Sequence, residues 1–366
     1  MAIFFFVVGL ELKKEIVAGE LSSPKKAMMP IVSAIGGMVI PASIYLLLNS
    51  NSGTEHGWGI PMATDIAFAL GILMFLGDKV PVSLKIFLLA LAIVDDLGAI
   101  LVIAFFYSSD ISFLNLIIGM AFLGAMFIGN KMGVRSTLFY AVLGIGGLWT
   151  AFLLSGVHAT IAAVLAAFMI PADSRISEKD YVEDIKEKLK AFAAIDPDDK
   201  VPVLKEEQIN ILKKIQESTK LASTPMQNLT NIISPISTFI VLPIFAIANA
   251  GVSFDVEMST LFSTNIAVGV GLGLVLGKIL GIFGFAFILV KLGLGSLPTG
   301  MSLKNLFGIA LLAAIGFTMS IFIASLAFTE QLHIDQAKIG IFAGSIIGGV
   351  AGYIYLSLIS KPQIEQ

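Results

Sequence analysis

Four charged side chains lie deep inside otherwise apolar stretches of the chain: Asp65, the adjacent pair Asp95 and Asp96, and Lys278. An ionisable group at the middle of a bilayer costs at least about 3 kcal/mol, and more without a partner. Three carboxylates and one ammonium at that depth point to the movement of charge. A carboxylate can hold a proton or a hard cation, which prefers oxygen ligands. Competition between the two for one site is the minimum device for exchange, so the first reading is an ion transporter.

Asp95 and Asp96 stand in Leu91-Ala92-Ile93-Val94-Asp95-Asp96-Leu97-Gly98, halfway along an apolar run. Neighbouring helix positions point about 100° apart, so one carboxylate can face a cavity while the other binds a neighbour. Two close acids in a low dielectric titrate as a coupled unit. Lys278, in Gly277-Lys278-Ile279-Leu280-Gly281, is about 20 Å from either end of its run at 1.5 Å per residue. Its side chain cannot snorkel that far. The expected partners are Asp96 or the carbonyl ends of interrupted helices; proton carriage by Lys278 itself stays open.

Asp65 stands in Ile60-Pro61-Met62-Ala63-Thr64-Asp65-Ile66-Ala67-Phe68. Pro61 cannot donate a helix hydrogen bond, and Thr64 and Asp65 put polar groups beside any unwound turn. The segment reads as an interrupted helix. A second break is expected in Ala314-Ile315-Gly316-Phe317-Thr318-Met319-Ser320. Irregular backbone at membrane depth is tolerated only where it is buried in protein or lines a cavity, and paired interruptions mark transporter binding sites. Other polar positions say less. Glu11 and Glu15, with Lys13 and Lys14, read equally well as a cation-collecting mouth or an interfacial cluster. His158, at the start of a run, reads as structural. His56 and His333 fall in loops, and Asn249 is expected to end a helix.

These residues need spanning helices to position them. Of 366 residues, 57% are hydrophobic and only 13% are charged, with a mean hydropathy of +0.93. Soluble domains carry roughly 25% charged residues, so this is a polytopic membrane protein. The 35 glycines suit close helix approach in a membrane. The absence of cysteine excludes disulfides and thiolate metal sites. The net charge of −3 gives no hint of nucleic acid. No cleavable signal peptide and no phosphate-binding GxxxxGK[ST] run is seen. No cofactor and no enzymatic chemistry are expected.

Apolar runs at 27–49, 58–76, 82–107, 112–130, 136–154, 156–171, 229–250, 264–291, 303–327 and 337–359 are each near the length needed to cross. Lys and Arg alternate strictly between successive loops, which sets the Lys-rich loops and the C-terminus, marked by Lys361, on the cytoplasmic side. The run 2–10, ending at Glu11–Lys14, is half a crossing, so upstream residues are expected. Residues 172–228 hold ten Lys and Arg and twelve Asp and Glu. They read as a charged cytoplasmic insert, with one amphipathic helix around Ile209, Leu212 and Ile215 and interruptions at Pro197, Pro202 and Pro225. The expected organisation is 1–171 as a first group of transmembrane helices, 172–228 as the insert, and 229–361 as a second group.

Together these motifs resemble the NhaA family of bacterial Na+/H+ antiporters. The likeness rests on Gly9-Leu10-Glu11 with Lys13, Lys14 and Glu15; Ala63-Thr64-Asp65-Ile66-Ala67-Phe68-Ala69; Ala92 to Ile100 with its Asp pair; Ser155-Gly156-Val157-His158-Ala159-Thr160; Gly277-Lys278; and Gly316 to Phe322. The resemblance implies an all-α fold of twelve helices with inverted repeats and two discontinuous crossing helices, an architecture for which this family is itself a standard example. It implies secondary antiport of Na+ or Li+ against H+ with pH regulation. Asp95, Asp96 and Thr64 would form the ion site, Asp65 and Lys278 would balance the charge of the broken helices, and Glu11 and Glu15 would line a cytoplasmic funnel linked to pH response. The family's first helix, the start of its second and its dimerisation hairpin have no counterpart in this sequence, which bears on homodimer formation. Ser234-Pro235 stands where some relatives have His-Pro. Other readings are a fragment or sensor that does not transport and, less well supported, an intramembrane aspartyl protease using Asp65 and Asp96, in which Lys278 has no role.

Overall fold

The computed structural model describes residues 1–50, 52–107, 111–195, 203–251, 264–298 and 300–359. Among these, every regular element is helical. The elements are α1 (Ala2–Ala18), α2 (Pro24–Asn49), a 3₁₀ segment (Glu55–Met62) followed by α3 (Ile66–Phe75), α4 (Val82–Phe106) and α5 (Phe113–Lys131). Then come α6 (Thr137–Ser155) and the shorter α7 (Ala159–Met169). The insert contains α8 (Glu178–Ala193) and α9 (Glu206–Ala222). The second group comprises α10 (Pro225–Asn249), α11 (Ile266–Lys291), α12 (Leu303–Leu312), α13 (Phe317–Ala327) and α14 (Gln331–Ile359). Among the described residues, eight helices are long and apolar enough to cross a membrane; α12 and α13, bent by 49°, make a ninth crossing.

Both interruptions fall where Pro61 and Gly316 sit. The expected run 156–171 is α7, shortened because Gly156 turns the chain at φ 79° and His158 precedes the helix. Two boundaries move outward. α1 continues through Glu11–Lys14 to Ala18, since nothing before Gly19 breaks a helix there. α14 starts at Gln331, because polar Gln331, Asp335 and Gln336 extend the apolar run by more than a turn. Asn249 ends α10 as expected. Pro197, Pro202, Lys361 and most of the loop 251–263 lie outside the described residues.

The insert holds two helices where periodicity predicts one. α8 carries Tyr181, Val182, Ile185, Leu189 and Phe192 at helical spacing, but nine of its sixteen residues are charged, so the segment reads as a solvated connection. It packs on α9: Tyr181 Oη lies 3.0 Å from Thr219 Oγ1, and Lys188 Nζ reaches Asp184 and Ser218 Oγ at 2.5 Å each. The Lys188 ammonium holds the Asp184 carboxyl below its ordinary value.

Within the membrane, helices gain little from burying apolar surface against one another, so close van der Waals approach decides how they pack. α2 and α11 meet along a stripe of small residues. A Cβ at Gly281 would lie 2.1 Å from the Gly36 carbonyl oxygen, and one at Gly277 would lie 2.6 Å from Pro41 Cα. That approach brings Lys278, next to Gly277, to the centre of the fold. α11 also carries π turns at Gly273–Gly277 and Ile279–Phe283, on both sides of Lys278; such turns are frequent at functional sites.

This contact yields a prediction. Gly281→Ala should destabilise the protein by about 1–3 kcal/mol, as overpacking does. Gly284→Ala, whose Cβ would meet nothing within 4 Å, should leave the thermal midpoint in detergent unchanged. Equal midpoints for the two variants would show that the α2–α11 approach is not close-packed.

Candidate ion-binding site at the crossing of two broken helices

The two interrupted segments run antiparallel and touch where both are unwound. Ile60 faces Ser320, Asp65 faces Ile315 and Thr318, and the Phe68 and Phe317 rings meet at 4.9 Å. Each break leaves backbone groups that a continuous helix would satisfy, and the other segment or a neighbouring helix supplies the partners. At the amino ends, Asp65 caps α3 by accepting from Phe68 N at 3.3 Å. The same carboxylate caps α13, accepting from Thr318 N at 3.0 Å and from the Thr318 hydroxyl. Ser345 Oγ, from α14, accepts from Gly316 N and Phe317 N, both at 3.2 Å.

The carboxyl ends are matched in the same way. Lys278 Nζ donates to the Met62 carbonyl at the end of the 3₁₀ segment. Ser320 Oγ donates to Ile60 O at 2.8 Å, and Asp65 N to Ile315 O at 2.6 Å. Thr64 Oγ1 lies 2.6 Å from Asp95 Oδ2 and 3.0 Å from Ala313 O, sharing its one hydrogen between them. Asp65 therefore sits where two positive helix ends converge, and Lys278 at a negative one, as the macrodipole favours.

α4 contributes the acid pair. Asp95 turns to the crossing and forms an ion pair with Lys278, with the two side chains 2% and 0% exposed. Of the two expected partners of Lys278, the carbonyl end of an interrupted helix is met at Met62, whereas Asp96 is replaced by Asp95. The offset of about 100° between adjacent helix positions lets only one acid reach the α11 side. Asp96 shares the α4 face of Ala92 and Ile93, one turn away, and those residues pack with Leu12 of α1 and Ile66 of α3. Asp96 is fully buried, yet neither of its oxygens, nor Asp95 Oδ1, has a hydrogen-bond partner in the protein. The ionisable groups that act on it are Asp95, Asp65, Glu11 and Lys278. Among the described residues no three acidic, histidine or cysteine side chains converge as a resident metal site would require.

Other expected positions resolve as follows. Glu11 is half-buried on α1, next to Leu12, which packs with Ala92 and Ile93 of α4. Glu15 is turned to its own chain, accepting from Glu20 N at 2.8 Å. Lys13 caps the end of α7 through the carbonyls of Phe168, at 2.7 Å, and Ile170. His158 Nδ1 lies 3.2 Å from Thr160 Oγ1 and its ring packs edge-on to Phe322, as a structural histidine would. An aspartyl dyad of Asp65 with Asp96 is not formed, because the Asp65 carboxylate is committed to backbone N–H groups. Ser345 was not anticipated; its only sequence signal is a hydroxyl among small residues in Ala343-Gly344-Ser345.

A bundle of spanning helices that buries acids and a lysine where two interrupted segments cross defines a secondary transporter. The chain belongs to the Na+/H+ antiporter family: the family model described as Na+/H+ antiporter 1 matches residues 1–356. It is 47% identical over 361 residues to the Na(+)/H(+) antiporter NhaA of Oleidesulfovibrio alaskensis, covering 99% of this chain and 80% of that protein. It is 47% identical to Na(+)/H(+) antiporter NhaA 1 of Psychromonas ingrahamii, covering 100% and 83%, and 46% identical to the NhaA of Helicobacter pylori, covering 99% and 81%. The protein is a membrane-embedded sodium/proton antiporter and not an enzyme.

Removal of one partner from a buried ion pair costs about 3–5 kcal/mol. Lys278→Ala is therefore expected to lower the thermal midpoint sharply, and Asp95→Asn added to it should restore part of the loss; additive losses would rule out the pair. Ser345→Ala, which leaves two buried N–H groups unmet, should cost about 1–3 kcal/mol, with Ser345→Thr closer to the parent in the same melting assay.

Proposed function

We propose that Asp95 and Asp96 are the site at which Na+ or Li+ competes with protons, with Thr64 lining it. Asp96 carries this reading: a fully buried carboxylate with both oxygens unpartnered, one residue from a second acid, is a place built to be filled. An unpartnered buried carboxylate is too costly to persist ionised, so it holds either a proton or a cation. Asp95 and Thr64 Oγ1 add oxygen ligands of the kind a hard cation prefers. Asp65 and Lys278 keep the crossing electrically balanced in either state. Asp95 Oδ1 is open to the cation while Oδ2 keeps its pairing with Lys278.

In the proposed cycle the acids take up protons on the periplasmic side and release Na+. The helical bundles rock, and on the cytoplasmic side protons leave and Na+ is bound. Moving more protons in than Na+ out transfers net charge, for which 100 mV supplies about 2.3 kcal/mol per charge. Glu11 on α1, electrostatically linked to Asp96, and Glu15 near it are assigned to the cytoplasmic entrance and its pH response. The loop charges support a bacterial inner membrane with the Lys-rich loops and the C-terminus cytoplasmic, and the insert 172–228 joins the two helical groups. Assembly as a homodimer rests on family resemblance alone.

Because each bound proton must leave before Na+ binds, apparent Na+ affinity should rise with pH, by about tenfold per unit for each competing proton while that site remains mostly protonated. Everted vesicles from an antiporter-deficient host, with a fluorescent ΔpH probe, test both points. NaCl or LiCl should dissipate ΔpH at lower concentration as pH rises, KCl should do so far less, and Asp96→Asn should abolish the response. Dissipation undiminished in Asp96→Asn would remove the acid pair from the mechanism.

A further inference from the structure

A groove of about 610 Å³ opens on the lipid-facing side of the crossing, between α3, the second break and α14. Phe68, Ile72 and Phe75 of α3 form one wall, α14 from Phe342 to Tyr353 the other, and Ile315 and Phe317 the floor. Along α14 the groove spans twelve residues from Phe342 to Tyr353, about 16 Å at 1.5 Å per step. That matches one leaflet, half of the roughly 30 Å hydrocarbon core.

Its two ends differ in polarity. At the deep end the polar group is Ser345 Oγ, already engaged by Gly316 N and Phe317 N. At the shallow end stands the Tyr353 ring, and Lys79 follows Phe75, the outermost α3 residue of the wall, by four residues. Lys79 is exposed, and Lys85 donates to Gly77 O at 3.4 Å, so two lysines stand at the turn after α3. An apolar slot about as long as one leaflet is deep, with two lysines just beyond its α3 wall, suits a phospholipid.

We infer that this groove binds one acyl chain of a phospholipid whose phosphate sits at Lys79. Phe317 opens α13, and its ring contacts those of Phe68 and Phe342 at 4.9 and 5.7 Å. Immediately behind this aromatic wall Thr318 binds Asp65. The seated chain therefore backs the crossing with hydrocarbon and keeps water from reaching the broken helix ends from the side. A second groove of about 420 Å³ between α11 and α14, walled only by aliphatic and small residues such as Val268, Gly271 and Ile347, has no aromatic ring in its lining and serves as the comparison.

The test uses the whole protein in liposomes containing phosphatidylglycerol that carries a photoactivatable diazirine in its acyl chain, with labelled peptides read by mass spectrometry. Labelling is independent of transport, so it stands or falls apart from the proposed ion site. Peptides covering 66–79 and 342–356 should be enriched about tenfold over the lipid-exposed α5, the ratio given by 1.4 kcal/mol of preferential binding. Ile346→Trp and Val350→Trp, at positions 64% and 54% exposed that fill the groove, should each remove the enrichment while the thermal midpoint is kept. Val268→Trp in the comparison groove should not remove it, and Lys79→Ala should reduce it. Uniform labelling of all lipid-facing helices, enrichment that survives both tryptophans, or a protein–protein crosslink at Phe75 in place of lipid would each overturn the inference.

Discussion

Broken helix ends cannot be left bare in a bilayer. Every N–H or carbonyl exposed by the two interruptions needs a protein partner, because hydrocarbon offers none. The crossing meets this demand largely through reciprocity: each segment supplies groups that satisfy the other, with Lys278 of α11 and Ser345 of α14 completing the set. Most of the surrounding architecture can be understood as the means of holding those two side chains, and the Asp95 carboxylate, at the crossing.

Close helix approach is the first of these means. Lys278 reaches Met62 and Asp95 because Gly277 and Gly281 let α11 lie against Pro41 and Gly36 of α2. A bulkier stripe would push the ammonium outward and strand the Asp95 charge. α14 approaches as closely, with a Cβ at Gly340 placed 2.3 Å from Ala267 O. Ser345 is carried on the same helix. Small residues here set the reach of polar ones, so the α2–α11 contact is part of the site.

The crossing is also uneven in a way that bears on transport. Asp65, Thr64, Ser320 and Lys278 are all satisfied, whereas Asp96 and one oxygen of Asp95 are not. A network with every member paired is rigid, and one with a buried unpaired carboxylate is incomplete until something enters. The adjacency of the two acids on α4 divides these roles: a single step of about 100° presents Asp95 to the fixed network and Asp96 away from it.

Much of this was legible in the sequence. Hydropathy and loop charge marked the spans, since only long apolar segments can cross a bilayer. The rarity of charge inside those segments singled out Asp65, Asp95, Asp96 and Lys278, and Pro61 and Gly316 marked the breaks. The second insert helix was passed over although Val182, Ile185, Leu189 and Phe192 recur at helical spacing, because nine of the sixteen residues of α8 are charged. What only the tertiary structure decided was partnership. That Lys278 takes Asp95 and leaves Asp96 open, that Asp65 caps two helices at once, and that Ser345 completes the second break all depend on which residues from distant parts of the chain meet. Burial makes a partner obligatory, and hydropathy can reveal that need, but the choice of partner is made by helix direction and the closeness of backbone approach.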